Sequence, residues 1–241
     1  MFDFTQPAVE AARALLGATV RVGEVAVRLT ETEAYAGVGD PASHSTRGRR
    51  PSTEALFGPA GTLYCYLSYG VHICGNLTCG PDQDGSAVLL RAGEVVEGVE
   101  LARQRRMNAR LGLDSRGDPV QELRRQAVAG VDGKPLSNAP AARAGLQAEA
   151  VRDAGANSIP DVRLARGPGC LGQVLGLTLG QSGWLAGRDF SVTPCDTPPE
   201  AACGPRVGVS LANARPWRFW IVGAPSVSAY SRSPRAVPNS W

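Results

Sequence analysis

Four of the five tyrosines, Tyr35, Tyr64, Tyr66 and Tyr69, fall within 35 residues of one another, with His44 among them. Aromatic faces stack on flat π-systems, and a nucleobase gains about 1–3 kcal/mol per stacked ring. The same cluster is compatible with a half-buried sheet whose tyrosine hydroxyls find local partners. Just upstream, Glu31 and Glu33 share one face of a strand if the alternation around them holds. Paired surface acids are ordinarily solvated, yet a carboxylate at the edge of a stacking pocket is also where a general base for a bound water would stand. Spacing alone leaves both questions open.

The other chemistry-bearing residue types are sparse. The six cysteines form no CxxC pair, and His44 and His72 are the only imidazoles, so neither a disulfide scaffold nor a zinc site is expected. Cys65, alternating with Leu63 and Leu67, reads as small core filler. Of the 25 basic residues only Lys134 is a lysine, so phosphate contacts would be made by guanidinium groups. Two clusters, Arg47/Arg49/Arg50 and Arg103/Arg105/Arg106/Arg110, are candidates, although solvated patches are the commoner outcome. A net charge of +3 permits nucleic-acid binding without demanding it.

The elements that position these residues follow from periodicity. Residues 5–17 predict a helix, with Thr5 as a cap, Pro7 in the first turn and Gly17 at the end. Alternation over 19–32, broken at Gly23-Glu24, predicts a hairpin that runs into ETEAY. After a Gly/Pro/Ser/Arg-rich loop at 36–60, strands are expected at Thr62–Ser68, Val71–Thr78 and Ser86–Arg91, with a turn at Tyr69-Gly70. A helix is expected at 94–110, a surface insertion at 111–160 with a helix around 118–130, and strands at 206–211 and 217–222. Residues 229–241 read as a flexible tail. The chain of 241 residues, 43% hydrophobic and 20% charged, is long enough for one sizeable core. It has no apolar run of membrane-spanning length and no basic-plus-apolar leader, which predicts a cytoplasmic protein.

In chain order, RLTETEAYAG (28–37), PASHS (41–45), GTLYCYLSYGVHICGN (61–76), GSAVLLRAGE (85–94), RGPGCLGQVLGL (166–177) and RVGVSLANARPWRFWIVGAPSVS (206–228) are present. Together they resemble the alkyladenine type of 3-methyladenine DNA glycosylase. The resemblance covers 1–228 apart from the insertion. It implies an α+β fold, a single domain on a curved antiparallel sheet with surrounding helices and a β-hairpin that enters the DNA minor groove. It further implies a monofunctional enzyme that flips alkylated, and as a second class deaminated, purines out of duplex DNA and hydrolyses the glycosidic bond.

On this resemblance Glu33 is the general base. Arg91 and the carbonyl of Val207 hold the attacking water, and Tyr35, His44 and Tyr66 stack on and bond the extruded base. Asn76 crowds the exocyclic amino group of guanine, and Tyr69 fills the vacated place in the stack. No metal or organic cofactor is implied. The partner is double-stranded DNA containing a damaged purine, bound by a monomer without a membrane. The chain departs from relatives at Cys170, where many carry a basic residue, and at His72, where some carry an aromatic. The rival expectation is a catalytically silent binder of damaged or distorted DNA.

Overall fold

A computed structural model describes residues 2–81, 83–112 and 159–238. The insertion, except for its ends, and the helix expected around 118–130 lie outside them. The architecture is α+β, a curled antiparallel sheet with three helices among the described residues. The central strand is β2 (Val25–Tyr35). Its first half pairs with β1 (Thr19–Val22), and its second half with β9 (Arg218–Ile221). Along its other edge runs β5 (Ala87–Glu97), followed outward by β4 (His72–Thr78) and β3 (Leu63–Ser68). Shorter strands complete the sheet: β6 (Ala165–Arg166) on β5, β7 (Ser191–Thr193) on β1 and β8 (Ala201–Gly204) on β9.

The core lies on the face of β2 carrying Thr32 and Ala34. The helix α1 (Ala8–Ala14) packs there, and Thr32 Oγ1 donates to Ala12 O at 2.8 Å. The helix α2 (Val99–Arg110) and the helix α3 (Pro168–Leu175) pack together, with α3 against β4. That approach requires Gly172, since a Cβ there would stand 1.9 Å from the carbonyl oxygen of Ile73.

Several elements differ from the sequence expectation. The first helix begins at Ala8, because Thr5 bonds the Asp3 carboxylate and Pro7 takes the cap position. The helix expected at 94–110 is strand as far as Glu97. Arg28–Glu94 and Arg21–Glu97 ion pairs link this strand to its neighbours, and left-handed Gly98 (φ +71°) makes the break. The strand expected at 206–211 is a loop, since the edge of β2 it would have joined is occupied by β9. The loop turns at positive φ at Gly208 and Ala212. Residues 229–238 lie against this loop.

Candidate active site

One cross-strand row assembles most of the site. Tyr64 pairs with Asn76, Asn76 with Leu89, Leu89 with Glu33, and Glu33 with Arg218, so five strands contribute to one line across the sheet. Alternation puts Glu31 and Tyr35 on the same face as Glu33. Register slips between Leu29 and Glu31 and again between Glu31 and Thr32, and Arg91 is the residue left over between Leu90 and Ala92. A bulge is the usual means of re-aiming a side chain beside a site. Here it turns Arg91 onto both acids.

Neither acid is solvated; both are fully buried. Glu31 accepts from Arg91 Nε at 2.6 Å, Arg218 Nε at 2.7 Å, Ser228 N at 2.7 Å and Ser228 Oγ at 2.9 Å. Three of these bonds crowd onto Oε1, and Oε2 accepts from the Ser228 amide alone. Burial pushes its carboxyl up, but Arg91, the Ser228 amide and Arg218 outweigh that and hold it below the ordinary value. Glu33 has three partners. Oε1 accepts from Val207 N at 2.7 Å and faces Arg91 Nη1 at 3.2 Å, while Oε2 accepts from the Tyr35 hydroxyl at 2.9 Å. One acceptor position remains.

A cavity of about 800 Å³ opens over this face, lined among others by Tyr35, His44, Tyr66, Asn76, Arg91 and Val207. Its volume is in the range of sites that enclose a nucleotide-sized ligand. Glu33 lies behind the wall that Arg91 and Val207 form, touching both. Tyr64 and Tyr66 are stacked, with centroids 5.9 Å apart and planes at 21°. The His44 ring stands edge-on to Tyr66 at 4.7 Å, and its Nδ1 is 3.0 Å from the Tyr64 hydroxyl. Burial and the nearby Arg47 lower the His44 pKa, which keeps the imidazole neutral at pH 7. Burial raises the Tyr35 and Tyr66 phenols, more so near Glu33, and both remain donors. Asn76 Nδ2 donates to Tyr64 O at 3.2 Å, which fixes the amide against β3.

Tyr69 stands at the tip of the β3–β4 turn on the rim of the cavity, 90% exposed and with φ +50°. An exposed aromatic held in the left-handed region carries steric cost that packing does not explain. His72, on the same hairpin, has its ring against Gly169 and its Nδ1 3.3 Å from Gln173 Nε2, so it ties the hairpin to α3.

Four participants were not singled out from the sequence. Arg218 and Ser228 complete the shell of Glu31. Asp40 and Arg206 form a fully buried pair, with Arg206 Nη2 donating to Asp40 Oδ1 at 2.9 Å and Nη1 also bonding the carboxylate. Arg206 further donates to Ala34 O at 3.0 Å, and its guanidinium lies 4.7 Å from the Tyr35 ring centroid and 5.1 Å from that of Trp217. It thus fixes the Tyr35 wall and the start of the loop whose next amide, Val207, holds Glu33. A charged residue interrupting the aromatic run Trp217–Trp220 was the available signal for Arg218; nothing local distinguishes Asp40.

Among the described residues there is no cluster of three or more His, Cys, Asp or Glu that could hold a metal. No helix there is long and apolar enough to cross a membrane. Compared with known proteins, the chain matches the methylpurine-DNA glycosylase family over residues 2–225. Curated relatives carry the name "Putative 3-methyladenine DNA glycosylase". One from Nocardia farcinica is 44% identical over 94% of this chain and 88% of its own length. One from Rhodococcus jostii is 40% identical over 95% and 84%, and one from Cutibacterium acnes 37% identical over 95% and 98%.

Proposed function

The chain belongs to the methylpurine-DNA glycosylase family, and from that premise we propose that it is a monofunctional DNA repair enzyme that hydrolyses the glycosidic bond of 3-methyladenine-like purines flipped from duplex DNA. The observation that carries the assignment is the asymmetry between the two acids. All three partners of Glu33, Tyr35, Arg91 and Val207, line the cavity, whereas of the partners of Glu31 only Arg91 does, and Glu33 keeps one acceptor position directly behind that wall. Glu33 is the general base in this reading. A water between Arg91 and Val207 donates to the free position on Glu33 and attacks the anomeric carbon, and the carboxylate stabilises the oxocarbenium-like sugar as the base departs.

The cavity suits a cationic base. Tyr35, His44 and Tyr66 are all uncharged at pH 7, so their π-faces attract an alkylated purine without like-charge repulsion. Asn76 bounds the cavity where an exocyclic 2-amino group would meet it, which disfavours guanine. Tyr69, already exposed at the turn tip, fills the place of the extruded nucleotide. The only lysine, Lys134, lies in the insertion, and hydrolysis proceeds without a Schiff base. Deaminated purines such as hypoxanthine are a second substrate class that needs protonation to leave. The enzyme acts as a cytoplasmic monomer.

Single-turnover release of free base decides the matter, from alkylated DNA and from a duplex with one hypoxanthine. Wild type should release base, and Glu33→Gln should lose about 10²–10⁴-fold in rate, the range of general-base catalysis. An unchanged rate in Glu33→Gln would overturn the mechanism. A folded wild type that binds both duplexes and releases nothing would favour a catalytically silent reader of damaged DNA.

A further inference from the structure

The stretch 229–238 follows the family-matched residues 2–225 and is bonded to the loop that holds Glu33. Gly208 N donates to Ser231 O at 3.0 Å, Val237 N to Ser210 O at 3.0 Å, and Asn213 Nδ2 to Val237 O at 2.7 Å. Between these attachments the chain makes a turn over 233–236, closed by Ala236 N donating to Ser233 O at 3.0 Å. Pro234 stands second in the turn, where its fixed φ is favourable, and Arg235 third. Ser233 Oγ accepts from Arg235 N at 3.2 Å and fixes the crest.

Arg235 is exposed, lines the active-site cavity, and has no ion-pair partner among the described residues. In that respect it differs from the buried arginines of the site. Arg206 is committed to Asp40, and Arg91 and Arg218 to Glu31. A guanidinium presents five donors in a planar fork that matches a phosphate. Held on a turn pinned at both ends, it loses little backbone freedom when it binds.

We propose that residues 229–238 form a phosphate-binding strap, in which Arg235 bonds a backbone phosphate of the DNA strand carrying the extruded nucleotide. The inference rests on the reading of the cavity as the site of that nucleotide. It gives the C-terminal segment a binding role, and it couples DNA contact to the loop that supplies the Val207 amide.

The test is the salt dependence of duplex binding by wild type, Arg235→Gln and Arg235→Lys, on DNA with and without one hypoxanthine. Neutralising one phosphate contributes a slope of about −0.9 to log K against log salt. Arg235→Gln should therefore bind more weakly and lose about 0.9 of the slope, and Arg235→Lys should recover it. An unchanged slope in Arg235→Gln would overturn the proposal. Tighter binding would do so too, since the strap would then be screening the cavity rather than gripping DNA. Base release by wild type, read on the same hypoxanthine duplex, separates the two readings. An Arg235-dependent slope with no release from that duplex or from alkylated DNA would refute the glycosylase mechanism and leave the phosphate contact standing.

Discussion

Glu31 and Glu33 are two residues apart on one face of β2, fully buried and within reach of the same guanidinium, yet their remaining partners differ, Arg218 and Ser228 for Glu31, Val207 and Tyr35 for Glu33. Glu31 balances Arg91 and Arg218, and removing its charge leaves two buried cations facing a neutral amide. Breaking a buried pair from one side typically costs about 3–5 kcal/mol. Glu31→Gln should lower the stability measured by urea unfolding by that order, and a variant as stable as wild type would show that the network does not hold the sheet. Because the folded-state pKa of Glu31 is depressed, its contribution is fully present above the ordinary value of 4.5 and is lost as pH falls below it. Acid unfolding should therefore steepen below that pH in wild type and flatten in Glu31→Gln. Asp40 acts at one remove, holding Arg206 beneath Tyr35 and beside Val207. Asp40→Asn should lower the single-turnover rate at saturating DNA more than it weakens duplex binding. Equal losses would mean that the pair only supports the fold.

At the scale of an element, the proposed role of the β3–β4 hairpin sets stability against activity. Its tip places a tyrosine at φ +50°, a region that costs a non-glycine residue about 1–2 kcal/mol. Tyr69→Gly should stabilise the protein by about 1 kcal/mol and at the same time reduce retention of the flipped state. A fluorescent base analogue in the duplex reports the second effect; unchanged flipping would remove the wedge assignment. This hairpin, the β1–β2 hairpin and the ends of β9 were legible in the sequence because alternation and turn glycines report local geometry. The site was legible only in part. Tyr35, His44, Tyr66 and Arg91 line one cavity, but no periodicity encodes the bulge that aims Arg91, nor the pairing of Asp40 with Arg206 across 166 positions. The helical reading of 94–97 failed because Val95 and Val96 are β-branched and extend β5. The strand expected at 206–211 failed because competition for the β2 edge is a tertiary matter. The helix α3 carries two glycines within eight residues, Gly169 and Gly172, which obscure a helical pattern that close packing on β4 requires.

Across the whole molecule, a net charge of +3 conceals a division of labour among the arginines. The cluster on α2, the more prominent basic patch in the sequence, is largely consumed by internal contacts. Arg103 donates to Ile159 O at 2.6 Å and pairs with Asp161. Arg105 donates to Val174 O at 2.7 Å in the last turn of α3, where the helix dipole favours a cation, and Arg106 bonds Gln173. In the other cluster Arg49 donates to Phe57 O and Arg50 to Arg47 O, while Arg47 lines the cavity. At the cavity mouth, Arg47 and Arg235 remain without an ion-pair partner among the described residues, so density of arginines in the sequence does not by itself mark the DNA surface. A charged hydrogen bond is worth about 1.5–3 kcal/mol, and the half-buried Arg105 belongs at the lower end. Arg105→Ala should cost about 1.5 kcal/mol of stability by loosening α2 from α3, and should leave the salt slope of duplex binding at its wild-type value. If the slope fell instead by about 0.9, the α2 face would be part of the DNA surface, and the footprint would extend across the sheet to the helices.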